Sequence, residues 1–340
     1  MPALKKTLGF YPEPLSLRAG PISVHPLPEF DTVVEDVQAW EDLDKGWIYP
    51  PRLQSLKAGA SRELPYRTRV FPLPKTRLIE HKDATADGHL DFIVWVLSFF
   101  VGMRLTTEEA GFLDATPIRR GMLVDFVLVG QSLSRALELA DSFWKANPPQ
   151  TRNPLRFEAA VHALFLGQYP QALQFERFIY LYTALDACYR LVASSKKLRK
   201  DVPHTSRIKW TCDQLGLDVP GWASPQTPTT TRATRIAPIR NDALHEALFM
   251  DSPLGFAVHR FNPNGGAEYP IDSEMRNLVC RLLVALLAGD APPAAAECTC
   301  PARERTACRK RYLRSPVNGR QRKGLNLCPC TAGSTSDPIA

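Results

Sequence analysis

The stretch Glu176-Arg-Phe-Ile-Tyr-Leu-Tyr-Thr-Ala-Leu-Asp-Ala-Cys-Tyr189 decides the fold of the second half of this chain. Phe175, Phe178, Ile179, Tyr182, Leu185, Tyr189 and Val192 recur three or four residues apart, the spacing of a broad apolar face on one long helix. Working outward, residues 157–166 predict a shorter helix, interrupted by Gly167 and Pro170, and residues 206–215 predict a third. A Pro/Thr-rich loop over 217–231 precedes a fourth helix that begins near Pro238. Residues 273–287 form a fifth, and Asn262-Pro-Asn-Gly-Gly266 between the last two reads as a turn with short strand-like flanks. Residues 152–290 are therefore expected to form an all-α bundle.

Upstream the character changes. Residues 1–80 contain eleven prolines around extended pieces such as Pro21-Ile-Ser-Val-His25, Trp47-Ile-Tyr49 and Tyr66-Arg-Thr-Arg-Val-Phe71, which predict short edge strands and loops rather than long helices. Residues 90–104 are apolar all round and read as a buried helix or strand. Met122-Leu-Val-Asp-Phe-Val-Leu-Val129, bounded by Gly121 and Gly130, reads as a buried strand. Leu133, Ala136, Leu137, Ala140 and Trp144 recur at helical spacing up to Asn147-Pro-Pro149. The expected class is α+β: a mixed α/β domain over 1–148, a Pro/Asn/Thr-rich link, the helical bundle, and a tail over 291–340.

The net charge of +7 is concentrated in that tail, which holds nine Lys/Arg against three Asp/Glu and leaves only +1 for residues 1–290. Nucleic-acid affinity in the folded part must then come from a local patch, while the tail supplies at most a salt-sensitive, nonspecific attraction. Five of the eight cysteines, Cys298, Cys300, Cys308, Cys328 and Cys330, also lie in the tail; Cys188, Cys212 and Cys280 fall in helical patterns. Paired C-x-C spacing suits one zinc ion less well than C-x2-4-C. Pro, Ala, Gly, Ser and Arg content favours a disordered basic segment, which an out-of-frame extension of the gene would resemble. The longest apolar run, Phe92 to Met103, is short for a membrane span, and the N-terminus lacks the apolar segment of a signal peptide, so a cytoplasmic location is expected.

Chemistry concentrates in Arg240-Asn241-Asp242-Ala243-Leu244-His245. An imidazole exchanges protons near neutral pH and a guanidinium neutralises charge developing on phosphate oxygens, and neither role needs a metal. If Ala243, Leu244, Ala247 and Leu248 continue a regular helix at ~100° per residue, Arg240 and His245 stand ~140° apart, flanking an apolar stripe. Asp242 and Glu246 then take the solvent side. The structural alternative is that Arg240 pairs with a neighbouring carboxylate and His245 is a boundary residue. Arg199-Lys-Asp-Val-Pro-His204 repeats the Arg-x4-His spacing, but Pro203 and the charged cluster before it place that copy in a turn or loop, where it serves as an internal decoy.

Two features together resemble the HEPN superfamily, within it the Apea-like branch. Ile236-Ala-Pro-Ile-Arg-Asn-Asp-Ala-Leu-His-Glu-Ala-Leu-Phe249 is similar to that family's Arg-polar-x3-5-His motif, and the helix 176–189 resembles its helix ending in apolar-Ala-Leu-acid-Ala. The resemblance covers about residues 152–290. It implies a helical bundle that often forms a homodimer with two Arg/His motifs at one cleft, and a metal-independent endoribonuclease leaving a 2′,3′-cyclic phosphate and a 5′-hydroxyl. It also implies RNA as the partner and an antiviral or toxin setting. On this chain His245 would be the acid/base group, Arg240 would stabilise the pentacoordinate phosphate, Asn241 would orient phosphate or His245, and Asp186 would orient Arg240. Other members of the family are inactive scaffold or binding domains, which is the alternative carried here. The first domain would act as a sensor or target selector by analogy.

No cofactor or metal is expected. The sequence has no phosphate-binding GxxxxGK[ST], no dinucleotide GxGxxG after a strand, no HExxH and no GxSxG. His81 and His89 flank Lys82-Asp-Ala-Thr-Ala-Asp-Gly88 in a metal-like way, but with no third ligand apparent the segment reads as a solvated loop.

Overall fold

Period-two alternation of buried and exposed residues builds the sheet of the N-terminal unit. Four antiparallel strands lie in the order Leu4–Leu8, Arg77–His81, Ile22–Pro26, Leu17–Ala19. Ile22 and Val24 of one strand and Arg77, Ile79 and His81 of its neighbour point to the buried face. In the computed structural model, residues 3–51, 53–55, 61–63, 69–84, 86–223, 236–249, 252–253 and 271–289 are described. The helices are α1 (Phe30–Gln38), α2 (Asp87–Val101), α3 (Gln131–Ala146), α4 (Asn153–Leu166), α5 (Gln174–Ser195), α6 (His204–Leu215), α7 (Ile236–Asn241) and α8 (Ile271–Ala288). The tail with its cysteines, the turn at 262–266 and most of the loop at 217–231 lie outside the described residues. The class is α+β, and the chain divides between Ser142 and Phe143, within α3 and a few residues ahead of the Pro/Asn link.

The short strands expected among the prolines of the first 80 residues are present, at Trp47–Ile48 and Val70–Phe71 among others. The helix α1, which this proline-rich region did not suggest, buries Phe30, Val34 and Val37 in a small core with Phe10, Ile48, Phe71 and Phe112. The apolar run over 90–104 is helical. Eleven residues of α2 are buried, which is why it shows no polar face. Helix α2 packs along strand Leu4–Leu8, and Lys6 Nζ crosses to Asp91 Oδ2 at 2.9 Å.

The segment 122–129 is buried but is not a strand. Leu123 and Leu128 of this segment, with Gly121 before it, donate to carbonyls at the C-terminus of α2: Gly121 N–H to Val101 O at 2.9 Å, Leu123 N–H to Gly102 O at 3.0 Å and Leu128 N–H to Phe100 O at 2.9 Å. A helix end must find partners for its last carbonyls, and this apolar segment supplies them while filling the core with Leu123, Val124, Phe126 and Val127. Gly102 makes the approach possible. Its φ is +69°, and a Cβ there would lie 2.8 Å from Gly121 Cα.

In the second unit α5 is central and packs on α4, α6 and α8. Of the face that the sequence spacing predicts, Phe178, Leu185, Tyr189 and Val192 are buried and Phe175, Ile179 and Tyr182 half-buried; Leu181 and Cys188 join the buried seam. Met275, Leu278, Val279, Leu282 and Leu283 of α8 supply the matching face. Among the described residues no helix is long and apolar enough to cross a membrane.

Candidate functional site

The Arg/His motif does not continue as the regular helix its apolar pattern suggested. Helix α7 ends at Asn241, a π-helical turn runs Asp242–Glu246, and Ala247 turns left-handed at φ 54° before the short strand Leu248–Phe249. Ala247 N–H bonds to Asp242 O, an i→i+5 link. The wider turn carries residues five apart closer to one face than a regular helix does, so the distortion acts on the 140° offset between Arg240 and His245. Only Ala243 of the expected apolar stripe is buried: Leu244 and Leu248 are 50% and 40% exposed, and His245 is exposed. Beyond the turn, Phe249 is fully buried, its ring 5.5 Å from that of Phe178, and this pins the segment to α5.

Arg240 is half-buried and donates to Asn241 Oδ1 at 2.8 Å. Its guanidinium lies within electrostatic reach of Tyr182 and His204. Helix α7 packs on α6, which begins at His204 behind the capping Pro203. The repeat Arg199…His204 is thus a loop only as far as Pro203. His204 itself is the first residue of a helix and stands closer to the chemistry than a decoy should.

Tyr182 and Asp186 are one helical turn apart on α5, as His204 and Arg207 are on α6, so the two pairs face each other. Arg207 Nη1 reaches Asp186 Oδ1 at 2.6 Å and His204 Nδ1 at 3.2 Å, and the Tyr182 hydroxyl is 3.3 Å from the same nitrogen. Arg207 is itself fixed, with Nε donating to Val202 O at 3.0 Å and its guanidinium 4.6 Å over the Tyr189 ring. Asp186 therefore holds Arg207, whereas Arg240 was its expected partner. The charge distribution tunes both titratable groups. Partial desolvation and then Arg207 lower the pKa of His204 from its ordinary 6.5, with Arg240 and Arg190 acting in the same sense and Asp186 against them. Desolvation and Asp186 raise that of Tyr182.

No family model, no curated protein and no solved structure matches the chain. Function must be read from the groups themselves. One half-buried cation, Arg240, beside an exposed imidazole and a phenol suits an anionic ligand whose reaction moves a proton, while the charge of buried Arg207 is matched by Asp186 and Asp201. The Cys188 and Cys212 thiols stay protonated, because burial pushes both up, Cys212 to about 11.

The N-terminal unit holds a second constellation. His81 ends strand Arg77–His81 and His89 lies in the first turn of α2; both are buried, although the segment between them is largely exposed, as the solvated-loop reading expects. A third group is also present. Asp141 of α3 sets Oδ1 at 3.1 Å from both imidazole Nε2 atoms. Nothing in the local sequence points to it, since helix α3 returns it to the histidines only through the fold.

Proposed function

We propose that residues 152–290 form a metal-independent endoribonuclease module that cleaves RNA through a 2′,3′-cyclic phosphate, working as a homodimer in the cytoplasm. The observation that carries this reading is the hydrogen-bonded grouping of His204, Tyr182 and Arg207 between α5 and α6, with Arg240 of α7, which packs on α6, within electrostatic reach of it. Arg240, with Arg207 behind it, opposes the charge of the pentacoordinate phosphate. A ring held below its ordinary pKa is neutral at pH 7, but its basic nitrogen, Nδ1, accepts from Arg207 Nη1, so His204 acts as base once a bound phosphate draws Arg207 away from that nitrogen. His245, exposed at the end of the π-helical turn, is assigned protonation of the leaving 5′-oxygen. Asn241 positions Arg240 through its side-chain carbonyl, and Asp186 positions Arg207.

The test is cleavage of a mixed RNA by the wild type and by Arg240→Ala, His245→Ala and His204→Ala, with and without EDTA, followed by analysis of product ends. Cyclic-phosphate ends that persist in EDTA and are lost in the Arg240 and His245 variants support the reading. No cleavage by folded wild type, or by residues 152–290 alone, leaves the noncatalytic scaffold. That second reading has its own support in Leu244 and Leu248, which present apolar surface beside the motif where a partner could cover it.

A further inference from the structure

We propose that His81, His89 and Asp141 bind one divalent transition-metal ion of the zinc class inside the N-terminal unit, independently of any ribonuclease chemistry. The ligands come from a strand, from α2 and from α3, and one ligand atom from each lies within 4.8 Å of the others. Zinc bonds of about 2.0–2.1 Å to nitrogen and oxygen put neighbouring ligand atoms about 3.3 Å apart in a tetrahedron. The 3.1 Å separations between Asp141 Oδ1 and each Nε2 are already close to this. Two imidazoles and a carboxylate form a borderline donor set, which selects ions such as Zn2+ or Co2+ over Mg2+ or Ca2+. The side chains are 0%, 4% and 12% exposed, so the ion would be enclosed, with no route for a substrate. Its role is structural: it clamps the sheet to α2 and α3.

Metal and proton compete for one place. Asp83 N–H donates to His81 Nδ1 at 3.0 Å, so the neutral ring carries its proton on Nε2, facing Asp141 Oδ1 at 3.1 Å. Loading moves that proton from Nε2 to Nδ1, and the Asp83 amide must then turn away. Asp83 lies in an exposed bend between the strand and α2, the part of the cluster that neither sheet nor helix fixes. Its carboxylate then becomes available to accept the Nδ1 proton, the usual outer-sphere support of a metal-bound histidine.

The experiment uses the full chain, purified without chelator, assayed for bound metals, stripped, and titrated with Co2+ and Zn2+. About one ion per chain is expected, with visible Co2+ bands of low-symmetry nitrogen/oxygen ligation and no near-ultraviolet thiolate band. That last feature separates this site from the tail cysteines. His89→Gln and Asp141→Asn should lose the ion and His245→Ala should keep it, while Zn2+ should raise the melting temperature of the wild type and not that of Asp141→Asn. If the variants fail to fold, the wild-type Co2+ spectrum still decides. A thiolate spectrum, retention of metal by folded Asp141→Asn and His89→Gln, or no binding by folded wild type overturns the proposal and leaves a hydrogen-bonded trio.

Discussion

Both units place histidine, aspartate and neighbouring polar groups in close company, but one cluster is sealed and the other is open. His81 has no exposed side-chain surface and shares Asp141 with His89. His204 is exposed and shares its surroundings with Tyr182 and two arginines. Burial makes the first set depend on one another, because an unpartnered polar group out of water costs free energy. In the second, Arg207 is buried and held by Asp186, Asp201 and the Val202 carbonyl, while His204 and Arg240 keep access to water and so remain available to a ligand. The same residue types therefore carry opposite meanings: the sealed set suits holding something fixed, the open set suits exchange.

The largest expected difference between the clusters is in activity. If the open set is catalytic, Arg240→Ala removes a charge that acts on the transition state and should lower RNA cleavage by about 10²–10³-fold, while thermal unfolding stays near that of the wild type. Asp141→Ala, in the sealed set, should behave the other way round, with cleavage per folded molecule unchanged. Finding cleavage lost in Asp141→Ala at full stability would break the division of labour.

Stability should sort the two aspartates. In metal-free protein Asp141→Ala leaves two buried imidazoles facing a lost acceptor and should cost about 1–3 kcal/mol by denaturant unfolding. Asp186 is 32% exposed at its side chain, and Arg207 keeps the Val202 carbonyl and Asp201, whose carboxylate stands 3.6 Å away. Arg207 is itself buried but keeps these two acceptors, so Asp186→Ala should cost less than Asp141→Ala, about 1 kcal/mol. Equal losses in the two variants would show that the open cluster is more tightly closed than its exposure implies.

Much of this architecture was legible in the sequence, and the exceptions share a physical cause. Helices α3 to α6 and α8 follow from apolar spacing because each buries one face. Segment 122–129 has the composition of a buried strand, but no strand among the described residues pairs with it; the Leu123 and Leu128 N–H groups go to the end of α2. The π-helical turn at Asp242–Glu246 was hidden because Ala243, Leu244, Ala247 and Leu248 keep helical spacing although only Ala243 of these is buried. In the site itself, Arg240 was visible and the His204–Arg207–Tyr182 grouping was not. Pro203 makes His204 read as a loop residue, yet proline also suits the start of a helix, and α6 begins at His204. Asp141 lies 60 residues from His81, and only the sheet and the return of α3 bring them together.

Titration gives a finer test. His204 has a lowered pKa, so the unfolded chain takes up a proton at higher pH than the folded one does. The ring's contribution to stability is therefore intact above the ordinary value of 6.5 and declines as pH falls through it. Nitrogen-detected NMR should find the ring titrating below 6.5, with Arg207→Gln moving it back up and Asp186→Asn moving it further down. A ring that ignores both substitutions would remove the electrostatic argument for His204 as the base.

The smallest effect should appear at Leu244 and Leu248, and it bears on what the open cluster faces. Both are exposed, so Leu244→Ser with Leu248→Ser removes little buried contact within the chain and should change monomer stability by no more than about 0.5 kcal/mol. If this surface is where two copies meet beside the Arg/His motif, the same double substitution should shift the protein toward monomer in sedimentation experiments and weaken cleavage with it. A wild type that is already monomeric would assign these leucines to another role and require the phosphate site to be complete within one chain. The sealed cluster makes no such demand, because its three ligands all come from one chain, and this is the sharpest physical difference between the two sites.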